Sequence, residues 1–389
     1  VNLVGPVEPD DAGPLRSNAA RGYLAHSAVA IDPGGGDVLG VIYTQAWTRS
    51  WRLRKGDHKD RPAHKRESIK WRRGIRAVSA AMREHSVEAE GIHLMDAEGE
   101  GYENFAFATR SRTRVVVRVT KDRRIAESED GLWAYLGAQR VACTFKQRVR
   151  AVPIGKPSEA VTARGRKAID AHKASQRAAG PQREATLQVR FATVTLTGRK
   201  GSRKPVTVTA VLATEKNPPS QYKPVEWMVL TTCEVSTAAQ AQQVLGYYQR
   251  RYGIEPVHRM YKSALHLESE AVQNITAFRR LLALHAVAAT QITQWVHAAR
   301  GKPKAAAAPH VPKATLEAIK DFSRFERMPL PRRAWTLADV VTRLAQLGGY
   351  EVRPDRRPGW IVIWRGWQRL VNFTRIRDFV RNDRRTGAS

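Results

Sequence analysis

The chain has 389 residues, enough for two or three domains of about 100 to 200 residues each. Apolar residues make up 42% and include ten Trp, so a real core can form, yet no run is long or apolar enough to span a bilayer. Lys and Arg total 66 against 36 Asp and Glu, a formal charge of +30, and the two cysteines, Cys143 and Cys233, have no Cys or His at metal-ligand spacing, which excludes a zinc site or a disulfide framework.

That charge exceeds what solubility requires and implies a polyanionic partner. The basic residues are spread through every segment and not gathered on one amphipathic helix, which favours DNA or RNA over a membrane surface. The alternative is a coding sequence rich in G and C that writes Arg often. The first sixteen residues lack a basic stretch followed by an apolar one, so a cytoplasmic, nucleoid-associated protein is expected.

Residues 1–20, rich in Gly, Pro and Asp, read as a loop. Apolar runs at 22–31 and 38–47 flank Asp32-Pro33-Gly34-Gly35-Gly36 and predict a β-hairpin. Over 67–83, Ile69, Trp71, Ile75, Val78 and Met82 recur at near-helical spacing and predict an amphipathic helix. The run 91–95 reads as a buried strand delivering Asp96 to a flexible loop at its carboxyl end. A helix at 102–109 and a strand at 115–119 follow.

From 122 to 221 the texture changes to β-rich pieces at 142–149, 186–196 and 206–212 joined by basic loops, the pattern of an antiparallel β insertion. Its most polar part, 156–183, carries Arg164, Arg166, Lys167 and Lys173, suited to phosphate contacts. A strand at 225–231 precedes an Ala-rich helix with Ser236 as its expected N-cap, running to about Arg251. Gly253 and Pro256 interrupt it, and further helices are expected at 254–267 and 277–299. The Ala- and Pro-containing stretch 302–313 reads as a linker. Beyond it come a helix at 337–347 stopped by Gly348 and Gly349, the anchors Trp360, Trp364 and Trp367, and a basic terminal helix.

The most specific local pattern is Tyr248, Arg251, Glu255 and Lys262, at successive spacings of three, four and seven. On a continuous helix these fall on one stripe; at a corner they fall on facing sides. Such a carboxylate between two cations can hold a metal ion beside a phosphate backbone, or it can be a solvated charged face. Asp96, taken alone, reads equally as a loop-capping carboxylate.

The pattern resembles the Tyr-Arg-Glu-Lys signature of the IS4 family of DDE transposases, the Tn5-like enzymes. The resemblance continues in the same order through Arg21-Gly22-Tyr23 to Ser27, Glu67-Ser68-Ile69-Lys70-Trp71, Asn217-Pro218-Pro219, Trp227 to Thr231, Leu347-Gly348-Gly349-Tyr350 and Trp364 to Trp367. It implies an α/β fold: an RNase H-like core over 1–121 and 224–301, an antiparallel β insertion over 122–223, and a C-terminal helical domain over 302–389 that supports a homodimer. It also implies cut-and-paste DNA transposition by two-metal phosphoryl transfer, with Asp96 and Glu255 as catalytic Mg2+ (or Mn2+) ligands. Arg251 and Lys262 would grip phosphates of transposon-end and target DNA, Tyr248 would position the strand, and Trp227 would stack on an unpaired base or serve as a core tryptophan.

The family's first catalytic aspartate, in an Asp-Thr-Thr setting, would fall a few residues before Val1, and the RNase H-like core is therefore expected to be incomplete at its N-terminus. Asp10 and Asp11, in a Gly/Pro-rich loop, do not replace it. The resemblance thus leads to the expectation of a chain that binds DNA with strong salt dependence but does not cleave transposon ends. The alternative is a non-catalytic DNA-binding or oligomerising fragment that inhibits a full-length transposase.

Overall fold

The computed structural model describes residues 11–15, 21–49, 66–152, 181–197, 204–261, 272–353 and 357–386, with side chains as far as 380. Most of the N-terminal loop, the basic segment with Arg164, Arg166, Lys167 and Lys173, and Lys262 lie outside the described residues. The fold is mixed α/β, and the chain divides into two compact units: Val1–Arg61, Arg76–His85 and Tyr252–Ser389 form one, Pro62–Ile75 and Ser86–Arg251 the other.

The strands, in chain order, are β1 (Gly13–Pro14), β2 (Arg21–Gly22), β3 (Leu24–Ile31), β4 (Val38–Trp47), β5 (Ile92–Met95), β6 (Arg114–Val119), β7 (Cys143–Arg150), β8 (Gln182–Leu196), β9 (Val206–Glu215) and β10 (Glu226–Thr231). The helices are α1 (Ile69–Glu84), α2 (Tyr102–Arg110), α3 (Gly131–Ala138), α4 (Ala238–Arg250), α5 (Ile254–Arg259), α6 (Ile275–Gly301), α7 (Lys313–Phe325), α8 (Leu337–Leu347) and α9 (Trp360–Thr386).

The first unit begins with the expected hairpin. β3 and β4 pair antiparallel, and at the turn the amide of Gly35 donates to Asp32 Oδ2 at 2.6 Å while Gly36 takes φ +76°, a value glycine adopts without a Cβ penalty. Tyr23 stacks on Phe278 with ring centroids 5.1 Å apart, and one core joins the hairpin to α5–α9. Asp11 is engaged structurally, accepting the Tyr23 hydroxyl at Oδ1 and the Ile275 amide at Oδ2. Burial first, and Asp11 second, push the Tyr23 phenol well above its usual range.

The stretch expected to be a linker is packed instead. Ala307 and Val311 are 0% and 2% exposed, and Ala307 donates to the Trp335 carbonyl at 2.8 Å. The break expected near residue 302 is therefore not a core boundary, because α6 and the helices after it share one set of buried side chains.

The second unit is built on a six-stranded sheet in the order β5-β6-β10-β9-β8-β7, with β5 and β6 parallel and every other pair antiparallel. The strands read as a β insertion thus extend the sheet that carries β5. β6 and β10 are buried on both faces: Val115, Val117, Met228 and Leu230 face one core, while Val116 and Val229 face the other. Each such side chain contributes about 1.5–3 kcal/mol relative to exposure.

α4 closes the second core with Ala241, Val244, Leu245 and Tyr248, one helical stripe. Its N-cap is Thr237, one residue beyond the expected Ser236. Thr237 forms a capping box in which its hydroxyl accepts the Gln240 amide at 3.2 Å and its own amide donates to Gln240 Oε1 at 3.1 Å.

Candidate functional site

Asp96 follows the last residue of β5, which pairs with β6 through Ile92↔Arg114 to Met95↔Val117, so the carboxylate stands at the carboxyl end of a parallel strand pair. There it caps the 3-10 turn Ala97–Gly99, accepting the Glu98 amide at 2.9 Å through Oδ1. The turn lies close against the strand it leaves: a Cβ on Gly99 would meet Met95 Cβ at 2.7 Å. Asn104, buried, donates to the Gly99 carbonyl at 2.9 Å and holds the other side. Asp96→Ala is expected to cost about 1 kcal/mol of stability through loss of the cap, and Asp96→Asn much less because it keeps an acceptor. Urea titration of the pair separates this local role from any chemical one.

Glu100, which the sequence reading did not single out, is 5% exposed in the same loop. It accepts the Thr120 amide at 2.9 Å and lies 3.7 Å from the Arg123 guanidinium and 3.8 Å from Lys121 Nζ. Burial pulls the Arg123 guanidinium down, and Glu100 opposes that shift. These partners pin the loop exit to the chain leaving β6. A charged residue two positions beyond Glu98 was the only signal in the sequence, and nothing there marked it as buried. Glu98 itself meets Lys70 Nζ at 2.5 Å.

The Tyr-Arg-Glu-Lys residues are distributed as follows. Tyr248 is 4% exposed in the core beneath α4, and the guanidinium of Arg251 lies 5.8 Å from its ring centroid, a cation–π distance. Gly253, expected to break the helix, has φ −60° and ψ −20°, and the backbone passes through a 3-10 turn, Arg251–Gly253, directly into α5. Pro256 is accommodated because it falls in the first turn of α5. Glu255 occupies that same first turn and is exposed. Tyr248 and Arg251 are brought together; Asp96 and Glu255 belong to different compact units. Trp227 is half-buried on β10 opposite Ala213, packed against the core.

Carboxylate oxygens suit Mg2+ or Mn2+. Among the described residues, however, no three His, Cys, Asp or Glu side chains are grouped so that they could hold a metal ion. Among the described residues, no helix is long and apolar enough to cross a membrane. No protein-family model matches the chain.

Proposed function

We propose that the chain is a transposase of the IS4, Tn5-like kind by descent, acting on DNA, with an RNase H-like core in which Asp96 and Glu255 are two of the catalytic carboxylates. The observation that carries the reading is the Tyr248–Arg251 pair at the end of α4 together with Asp96 at the carboxyl end of β5, in an ordered run of matching segments along a chain of net charge +30. In this reading Arg251 and Lys262 contact phosphates, Tyr248 fixes the helix that presents Arg251, and Mg2+ (or Mn2+) is the expected cofactor. Pairing of two copies would use the C-terminal helix, where Ile376, Phe379 and Val380 are 65%, 72% and 43% exposed at helical spacing.

A second reading, a non-catalytic DNA-binding chain that inhibits an active relative by pairing with it, is favoured by the same exposed Ile376, Phe379 and Val380 on the C-terminal helix. Both require DNA binding that weakens steeply with salt, since each phosphate contact adds about −0.9 to the slope of log K against log salt. Duplex binding measured by anisotropy over a salt series tests that common ground, and a salt-independent affinity would sink both. Titrating the chain into an active IS4-type transposase separates them. A fall in end cleavage supports the inhibitor, whereas Mn2+-dependent nicking by the chain alone, lost in Asp96→Asn and Glu255→Gln, supports the enzyme.

A further inference from the structure

Three stretches of the unit containing Tyr252–Ser389 converge on one cavity of about 500 Å3. Arg259, the last residue of α5, lines one side. The turn after α8 contributes Tyr350, Glu351 and Arg353, and Arg357 leads into the first turn of α9, which closes the cavity with Gly359 and Trp360.

Three arginines therefore line this cavity against one described acidic residue, Glu351, which pairs with Arg353 at 3.2 Å. Both members of that pair are exposed, so it neutralises little. A fourth cation stands at the edge: Arg300 lies 5.3 Å from the Trp360 ring centroid, and burial, then the charge of Arg357, lower its guanidinium below the usual range. Like charges gathered around one cavity repel one another, and an anion between them relieves that repulsion. The first amides of α9 also lack intrahelical acceptors and sit at the positive end of a long helix dipole.

We propose that this cavity binds the phosphate of a nucleotide-sized ligand, held by Arg259, Arg353 and Arg357. Planar guanidinium forks match phosphate oxygens in pairs, which a single point charge does not. The volume lies within the range of pockets for small organic ligands, about 300–1,000 Å3, and well above the needs of a bare inorganic ion. The phosphate can come from a nucleic-acid strand or from a free phosphoryl compound. The inference rests on this cluster alone and holds whether or not the chain is a transposase.

The test uses the full chain with two probes, sodium pyrophosphate and a labelled oligothymidylate. Pyrophosphate is expected to raise the thermal midpoint of the wild type, and the double variant Arg353→Gln, Arg357→Gln to lose that rise. The same variant should bind oligothymidylate about tenfold more weakly, with a salt slope shallower by about 1.4. Loss of the pyrophosphate effect with unchanged oligothymidylate binding assigns a free phosphoryl ligand; the converse assigns a strand. Both arginines are exposed, and the midpoint without ligand checks that the variant folds. If it does not, Arg259→Gln, on a different element, gives the same readouts. Unchanged response to both probes in the folded variant overturns the proposal.

Discussion

Replacing Gly366 with alanine is expected to destabilise the helical unit by about 3 kcal/mol or more, among the largest effects of a single methyl group in this chain. α8 and α9 cross where Gly348 and Gly366 face each other's backbone. A Cβ at 366 would lie 1.7 Å from the Leu344 carbonyl oxygen, and one at 348 would lie 1.8 Å from the Val362 carbonyl oxygen. Neither obstacle is the end of a flexible side chain, so the helices themselves would have to part. Parting them pulls Leu344, Ile363, Trp364 and Leu370 from a shared core. Gly246→Ala in α4 provides the contrast, because nothing lies within 4 Å of its Cβ position. Alanine there should stabilise by up to about 1 kcal/mol, through helix propensity alone. Urea denaturation of both variants checks the sign in each case. An unchanged midpoint for Gly366→Ala would mean that the two helices do not approach this closely.

The same glycines show which parts of the fold could be read from sequence. Gly348-Gly349 reads correctly as a helix stop, and Gly349 does take φ +92°. The contact of Gly348 with a helix more than ten residues later has no local signature. Local chemistry was legible elsewhere too: the hairpin turn at Asp32 to Gly36, the periodicity of α1 and α2, and the strands of the large sheet. α3 was not, because Leu132, Trp133, Tyr135 and Leu136 form a short apolar cluster inside a region of β texture. The prolines of 302–313 signal a linker by composition, yet Ala307 and Val311 are buried by tertiary packing, and Pro312 directly precedes α7. Of the candidate site, the placement of Asp96 at a strand end was legible. Its capping bond was one of two open readings, and the burial of Tyr248 follows from the Ala241, Val244, Leu245 stripe it continues. What escapes a sequence altogether is a buried charge, since its partner is set by the fold. Glu100 and Glu215 are two instances.

Glu215→Ala is expected to cost about 3 kcal/mol, because it leaves Arg183 without its partner at the rim of the sheet. The Glu215 side chain is 2% exposed and that of Arg183 13%, and the two form a bidentate pair, with Arg183 Nη2 donating to Oε2 at 2.8 Å. Glu215 Oε2 also accepts the Val225 amide at 3.0 Å, so one carboxylate ties β8 and β9 to the chain entering β10. The Arg183 hydrogen bond is the main cause of a Glu215 carboxyl below its ordinary value, opposed by burial. A depressed carboxylate stabilises the folded state above its unfolded pKa, and that contribution disappears as pH falls through the folded value. His93 on β5 adds to the acid sensitivity: burial lowers it from 6.5 to about 4, so over that interval the unfolded chain binds the extra proton and stability declines. The wild type should therefore lose stability in two stages, from about pH 6.5 downward and again as pH falls through the carboxylate range, and Glu215→Gln should weaken the second stage, to which Asp339, also lowered, contributes as well. The exposed pair Lys146–Glu184, with side chains 71% and 57% exposed, is the control, and Glu184→Ala should leave the midpoint unchanged. Urea midpoints across the pH range, with Arg183→Ala and the double variant completing a cycle, isolate the coupling between the pair. A coupling near zero would show that Arg183 and Glu215 are each solvated independently, and the second stage would then need another carboxylate.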